Sequence, residues 1–348
     1  MTVRLGVAGT GWWACFSHIP AVKAHGGAEI VAIADLDADR LTQVGETFAI
    51  GSRYSDVGAM LAAEALDGVI VATPHTSHAA VAIPALQAGA HTLVEKPMAT
   101  TSKDAAAIVA AAERAGKQVL VPNGWNFRDY TAKAAELVGN GRIGAVEHVV
   151  CHMGTALDDL FAGQPMLETK DHMFRPPTST WADPARAGGY GWGQLSHALA
   201  WIYRVTAVAP ESVFCLAGKS PTGVDYFDAA AVRLANGGTM SLSGASTVPK
   251  HKRPQLDVRI FGTEGMLQFD VERERLELNR RDGDDEVFEM APGDGDYDGT
   301  APIPRFIDIC AGNEVANDAD ARNGAAVVDT LDALYRSAAS GVLEPVRA

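Results

Sequence analysis

Five short apolar runs without polar alternation, separated by stretches of helical periodicity, constrain this chain more than any other feature. The runs are residues 3–8, 30–34, 69–72, 91–95 and 118–121. Helical patterns fall at 19–24, 37–48, 77–88 and 102–115. In the second of these, Leu41, Val44 and Phe48 share one face, with Asp37 or Asp39 near the start. Strands that are apolar on both sides must be covered on both faces, which is the signature of a parallel sheet between helical layers. The expectation is a doubly wound α/β domain over residues 1–123.

Beyond Pro122 the rhythm changes. A helix at about 130–138 precedes strand-like segments at 145–152, 211–217, 228–235, 238–245, 256–262 and 265–278. Turns such as Asn236-Gly237-Gly238 separate them, as in an antiparallel meander. Two helices, 194–204 and 322–340, interrupt or close this half. Residues 124–348 therefore read as a second, α+β domain built on a largely antiparallel sheet. A chain of 348 residues is long enough for two such cores.

Charge and cysteine usage narrow the function classes. A net charge of −14 disfavours nucleic acid and anionic membrane surfaces, both of which select clustered positive charge. No apolar run approaches the ~18 residues of a membrane span, and no basic-then-apolar segment opens the chain. The four cysteines, Cys15, Cys151, Cys215 and Cys310, have neither zinc nor compact disulfide spacing. A cytoplasmic protein acting on small molecules is expected. Asp294-Gly295-Asp296-Tyr297-Asp298-Gly299 matches the first half of a calcium loop, but Arg305 stands where the bidentate Glu belongs. With Pro302 and Pro304 expected to preclude a following helix, and eight acids over 282–298, this segment reads as a solvated acidic loop. No metal is assigned.

Glycine is enriched, 35 of 348 residues against a usual ~7%, and two of the glycines stand at an informative place. Gly9-Thr10-Gly11-Trp12-Trp13-Ala14 fits G-x-G-x-x-G/A directly after the first strand and before a helix. Gly9 permits the tight turn, Gly11 lets backbone approach a pyrophosphate, and Ala14 allows close helix packing. The phosphates would then face unpaired N–H groups at a helix start. Asp35 ends the second strand, 21 residues after Ala14, where an acid binds ribose hydroxyls. Leu36 follows it, so a 2′-phosphate meets the carboxylate rather than an arginine, unless Arg40 or Arg53 reaches the adenosine. The expected cofactor is NAD, with NADP the lesser option.

Val94-Glu95-Lys96-Pro97-Met98 ends the fifth strand. Together with the Gly turn, Thr73-Pro74-His75-Thr76-Ser77-His78, the stretch 191–201 and the closing 332–341, it resembles the Gfo/Idh/MocA oxidoreductase family. The resemblance implies an N-terminal Rossmann domain and a C-terminal sheet domain for substrate binding and oligomerisation. It implies that Lys96 is the catalytic lysine, lowered in pKa by a nicotinamide cation, with Lys96–Pro97 a candidate cis peptide. It places Gly9, Thr10, Gly11, Trp12, Trp13, Asp35, Thr73, Pro74, His78, Glu95 and Lys96 around the cofactor, His78 in a structural rather than catalytic capacity.

His197 stands at the family's second catalytic position, where a histidine accepts the hydroxyl proton. The family has an aspartate four residues earlier; this chain has Gly193. Either His197 acts with Gln194 as its orienter, or another acid supplies the charge, with Asp171 the candidate. Substrate contacts are expected from Lys96, Trp125, His152, Asp171, Trp181, Gln194 and His197, the tryptophans offering apolar faces to sugar C–H surfaces. The implied activity is an NAD-dependent dehydrogenase of a sugar, sugar derivative or cyclitol, in a homo-oligomer of two or four subunits. The alternatives are an NAD-dependent glycosidase working by transient oxidation and elimination, and a non-catalytic sugar- and NAD-sensing protein.

Overall fold

The computed structural model describes residues 2–347. They divide into two compact units, and the division is discontinuous: 1–124, 165–180 and 299–325 form the first, and 125–164, 181–298 and 326–348 the second. The first break falls next to the expected boundary at 123. The segments 165–180 and 299–325, assigned with the second domain by a continuous reading, pack instead with the first.

The first unit is a six-stranded, all-parallel sheet. Its strands are β1 (Val3–Ala8), β2 (Ala28–Ala34), β3 (Ser52–Tyr54), β4 (Gly68–Val71), β5 (His91–Val94) and β6 (Val119–Leu120), in the order β3-β2-β1-β4-β5-β6. Leu5, Val7, Ile33, Ile70 and Leu93 are fully buried, as strands covered on both faces require. The helices begin and end where their capping residues allow. Asp37 caps Ala38–Thr47 by accepting Arg40 N–H, and Thr101 caps Ser102–Ala115, which stops at left-handed Gly116. The order reverses beside β1, which leaves a crevice at the C-terminal ends of β1 and β4, where such sheets bind ligands.

One expectation fails here: Pro302 and Pro304 do not preclude a helix, because Pro302–Cys310 is helical. Both prolines lie in its first turn, where backbone N–H groups have no intrahelical acceptor to lose.

The second unit is a nine-stranded sheet. It comprises β7 (Val146–Gly154), β8 (Pro210–Lys219), β9 (Asp225–Leu234), β10 (Thr239–Ala245), β11 (Gln255–Gly262), β12 (Gly265–Asp270), β13 (Arg275–Arg280), β14 (Glu286–Glu289) and β15 (Glu344–Pro345). The order is β14-β13-β12-β11-β7-β10-β9-β8-β15, antiparallel throughout except for the central β7–β10 pair. The strand-like segment 265–278 is two strands, not one, broken by a turn in which Glu274 has φ +54°. One face is buried, with Val149, Cys151 and Met153 of β7 pointing into it. The buried helix Ser196–Thr206 packs in this unit.

The acidic segment is largely exposed, as expected, but it is not all loop. It contains β14, and its carboxylates meet arginines: Asp284 and Glu286 with Arg142, Asp282 with Arg280, Asp294 and Asp298 with Arg128, and Asp296 with Arg253.

Candidate functional site

In the first unit, residues from three strand ends converge on the Gly turn. Gly9 has φ +88°, and a Cβ there would stand 2.6 Å from the Ala72 carbonyl oxygen after β4. Glycine is therefore required both by conformation and by space. Around Gly11 nothing lies within 4 Å of where a Cβ would stand, so backbone is open to an approaching group. Asp35 braces this turn: its Oδ2 accepts Thr10 N–H at 2.7 Å and the Thr10 hydroxyl at 2.8 Å, while Oδ1 accepts Asp37 N–H at 3.0 Å. Arg40 lies 3.4 Å from Asp35 and 3.1 Å from Asp37, so this guanidinium is engaged by two carboxylates. Arg53 donates to the Ile50 carbonyl. A close-approach turn, an open helix start and an acid at the neighbouring strand end fit a dinucleotide.

Trp12 and Trp13 follow the turn. Trp12 Nε1–H donates to His172 Nδ1 at 2.9 Å, and Phe16 stacks on His172 at 4.2 Å. Met173 and Phe174 join Trp12, Cys15, Phe16 and His172 around a cavity of about 120 Å³. Thus residues 172–174 pack onto the helix that leaves the Gly turn. Asp171, next in the chain, points outward: its side chain is 86% exposed and 3.9 Å from Lys170. It lies in the first unit, whereas His197 lies in the second.

At the end of β5, buried Glu95 is followed by half-buried Lys96. Glu95 Oε1 is hydrogen bonded to His18 Nε2 at 2.7 Å, and Oε2 accepts Lys96 N–H at 3.0 Å. Burial works against the Glu95 charge, but the His18 hydrogen bond and the charges of His18 and Lys96 hold the carboxyl below its usual range. For Lys96, burial dominates and pushes the amine down to about 8, with the Glu95 charge opposing. The Lys96–Pro97 peptide is cis. His78 is fully buried, with Nδ1 2.8 Å from the Pro97 carbonyl oxygen and Nε2 2.8 Å from that of Thr73. It ties the Thr73-Pro74 turn to the residue after Lys96, which is a positioning role.

In the second unit, His197 is 5% exposed and held within aromatic rings. Its ring centroid lies 5.9 Å from that of Trp125 and 4.9 Å from that of Tyr297, both edge-on. Trp125 is fixed by Nε1–H donation to Gly295 O, and its own carbonyl accepts the Thr131 hydroxyl. Gly193 has a physical explanation. A Cβ there would stand 2.8 Å from Trp181 Cζ3 and 3.3 Å from Phe161 Cζ. No aspartate fits unless the Trp181 ring moves. Trp181 thus packs against the turn that carries Gln194 and His197. His152 is on the exposed sheet face, its Nδ1 3.0 Å from Ser243 Oγ, alternating with buried Cys151 and Met153.

Sequence reasoning missed His18 and Tyr297. His18 has no local motif, and its partner lies 77 residues away. Tyr297 sat within the calcium-like decoy, whose acid spacing concealed an aromatic contact.

Residues 3–122 match the family model described as "Oxidoreductase family, NAD-binding Rossmann fold", and residues 131–268 match the GFO/IDH/MocA C-terminal domain. D-Apiose dehydrogenase of Paraburkholderia graminis is 32% identical over 269 residues, covering 77% of this chain and 67% of that protein. Inositol 2-dehydrogenase 3 of Saccharopolyspora erythraea is 38% identical over 148 residues, 41% of this chain and 43% of its own length. The WlbA dehydrogenase of Bordetella pertussis, solved with NADH and UDP-GlcNAcA, shares the fold over 100% of both chains, with TM-score 0.76 and 24% identity. By both domain matches and by the 32% identity to the apiose dehydrogenase, the chain belongs to the Gfo/Idh/MocA family of oxidoreductases.

Proposed function

We propose that the chain is an NAD-dependent dehydrogenase that oxidises a secondary alcohol carbon of a sugar, sugar derivative or cyclitol. The observation that carries this reading is Lys96. It is a half-buried lysine whose amine is pushed down to about 8, at a strand end beside an acid held by His18. Gly9, Thr10, Gly11, Trp12 and Trp13 hold the pyrophosphate and helix-start end of NAD, and Asp35 its ribose hydroxyls. Thr73, Pro74 and Glu95 shape the far end of that crevice. When bound, NAD supplies the hydride acceptor.

As the carbinol carbon is oxidised, its oxygen needs a donor and its proton an acceptor. Lys96 donates from its ammonium to the hydroxyl oxygen, and His197 accepts the proton. Trp125 holds the His197 ring. Gln194, three residues before it on the same helical run, orients the imidazole or a substrate hydroxyl. The relatives named for apiose and inositol support a polyhydroxylated substrate. We assign NAD over NADP because Arg40 is already engaged by Asp35 and Asp37.

The test is NAD reduction by the purified chain against a panel of sugars, inositols and glycosides, with product analysis. NADH formation with a matching ketone or lactone is expected. Aglycone release without net NADH would overturn it in favour of transient oxidation. Thermal stabilisation by NAD and sugar without turnover of any kind would point to sensing.

The unbridged cysteines support a reducing, cytoplasmic setting, and among the described residues no helix is long and apolar enough to cross a membrane. The exposed face of the nine-stranded sheet supports a homo-oligomer.

A further inference from the structure

The helical run that carries His197 begins at Gly191, as the wide turn Gly191–Leu195 continued by Ser196–Thr206. Its N-cap residue, Tyr190, does not cap it: the Tyr190 hydroxyl donates instead to the Met153 carbonyl oxygen. The first N–H groups of a helix have no acceptor within it and must find one elsewhere. Here the first two find it in distant parts of the chain. Gly191 N–H donates to Asp225 Oδ2 at 2.7 Å, and Trp192 N–H donates to Tyr335 Oη at 3.1 Å. The Tyr335 hydroxyl donates in turn to Asp225 Oδ1 at 2.8 Å, closing a ring of three bonds.

The sequence is shaped to admit this cap. Gly189 has φ +112°, and a side chain on it would run into the Asp225 carboxylate. A Cβ on Gly191 would stand 2.7 Å from the Tyr335 hydroxyl. The Trp192 ring stacks on Tyr335, centroids 5.2 Å apart and planes 6° from parallel. A carboxylate at a helix start also meets the positive end of the helix dipole.

We propose that Asp225 and Tyr335 are positioning residues, which together cap the helical run carrying His197 from across the second unit and so set where its imidazole stands. Asp228 backs them. It is 3% exposed, and neither carboxyl oxygen receives an N–H or O–H from the described residues. Burial, then the Asp225 charge, raises its carboxyl well above the usual range. With its carboxyl so raised, Asp228 is a hydrogen-bond partner of Asp225 rather than a second charge beside it. That the imidazole so placed moves a proton rests on the function proposed above; the cap does not.

The experiment follows the His197 imidazole C–H resonance by NMR in the full chain, assigned by its loss in His197→Gln. Asp225→Asn and Tyr335→Phe are expected to displace that resonance and its titration midpoint, leaving the His78 resonance in place. Asp228→Asn is expected to leave both unchanged, because an amide N–H replaces the carboxyl O–H. With any panel substrate that the unaltered chain oxidises, Asp225→Asn lowers kcat on the order of 10²-fold, as expected of about 1 Å of misplacement, with KM for NAD unchanged. An unmoved His197 resonance in both variants overturns the proposal. If Asp225→Asn does not fold, Tyr335→Phe, which keeps the ring on Trp192, decides. Turnover that persists in His197→Gln while the two cap variants displace the resonance overturns the proton-transfer reading and leaves the cap standing.

Discussion

Lys96 shows how a single side chain is tuned by competing effects. Burial lowers its affinity for a proton, and the Glu95 charge restores part of it, leaving the amine at about 8 instead of 10.5. A group with a lowered pKa loses its charge at correspondingly lower pH. Activity that needs the Lys96 ammonium should therefore fall about tenfold per pH unit above roughly pH 8. Glu95→Gln removes the opposing charge, so the alkaline limb of the pH–rate profile should move to lower pH. Lys96→Arg should remove that limb from any residual activity, because a guanidinium does not titrate there. An alkaline limb that moves upward in Glu95→Gln would refute the assignment. The candidates Lys96, His197 and Asp35 were legible because each sits at a strand end or helix start whose position the sequence marks. Their supports were not. His18 lies 77 residues from Glu95, and no local period announces such a pair. The absence of an acid at Gly193 was visible, but its reason, the Trp181 ring, exists only once the chain has folded.

Elements were legible where the pattern was strong and local. The parallel strands lack alternation and the helix Ser102–Ala115 carries both its caps, so each follows from adjacent residues. The parallel pairing of β7 with β10 had no such signal, because it joins segments about ninety residues apart. The acidic stretch was legible as solvent-facing, but its ion pairs were not, for a related reason. Its carboxylates read as unpaired until the arginines that meet them are brought from 128, 142 and 253. Glu274 is central to this anchoring: its Oε1 accepts Gly293 N–H at 2.6 Å and Gly295 N–H at 3.4 Å, and Arg253 lies 2.6 Å away. Arg253 first, then these backbone donors, hold the Glu274 carboxyl below its usual range against burial. Glu274→Gln keeps the shape but weakens all three contacts, which lose their charge assistance. Amide hydrogen exchange over 291–298 should then speed up, with exchange in the helix Ser102–Ala115 unchanged. Equal rates over 291–298 in the two proteins would show that the segment is held by Trp125 and the other ion pairs alone.

At the scale of the whole molecule, a continuous two-domain division is too simple, since 165–180 and 299–325 pack with the first unit while their chain neighbours belong to the second. Apolar periodicity reports that a segment is buried, not which core receives it. The same limit applies to the outer face of the second sheet. Leu216 of β8 is 65% exposed and Phe227 of β9 44% exposed. In the β8–β9 register, Phe214 pairs with Ala231, Leu216 with Ala229, and Gly218 with Phe227. These residues form an apolar stripe on the face away from the core, and a contiguous stripe of this kind marks a contact surface rather than a solvated one. A second copy of the chain, presenting the same stripe, would cover it by two-fold symmetry. Light scattering should then give a mass that is a multiple of 36.6 kDa. The double variant Leu216→Lys, Phe227→Glu places charges on exposed strand positions that the fold itself does not bury. It should lower the mass toward a single chain while leaving the circular dichroism spectrum intact. A native mass of one chain, or an oligomer indifferent to both charges, would remove this face as the subunit contact.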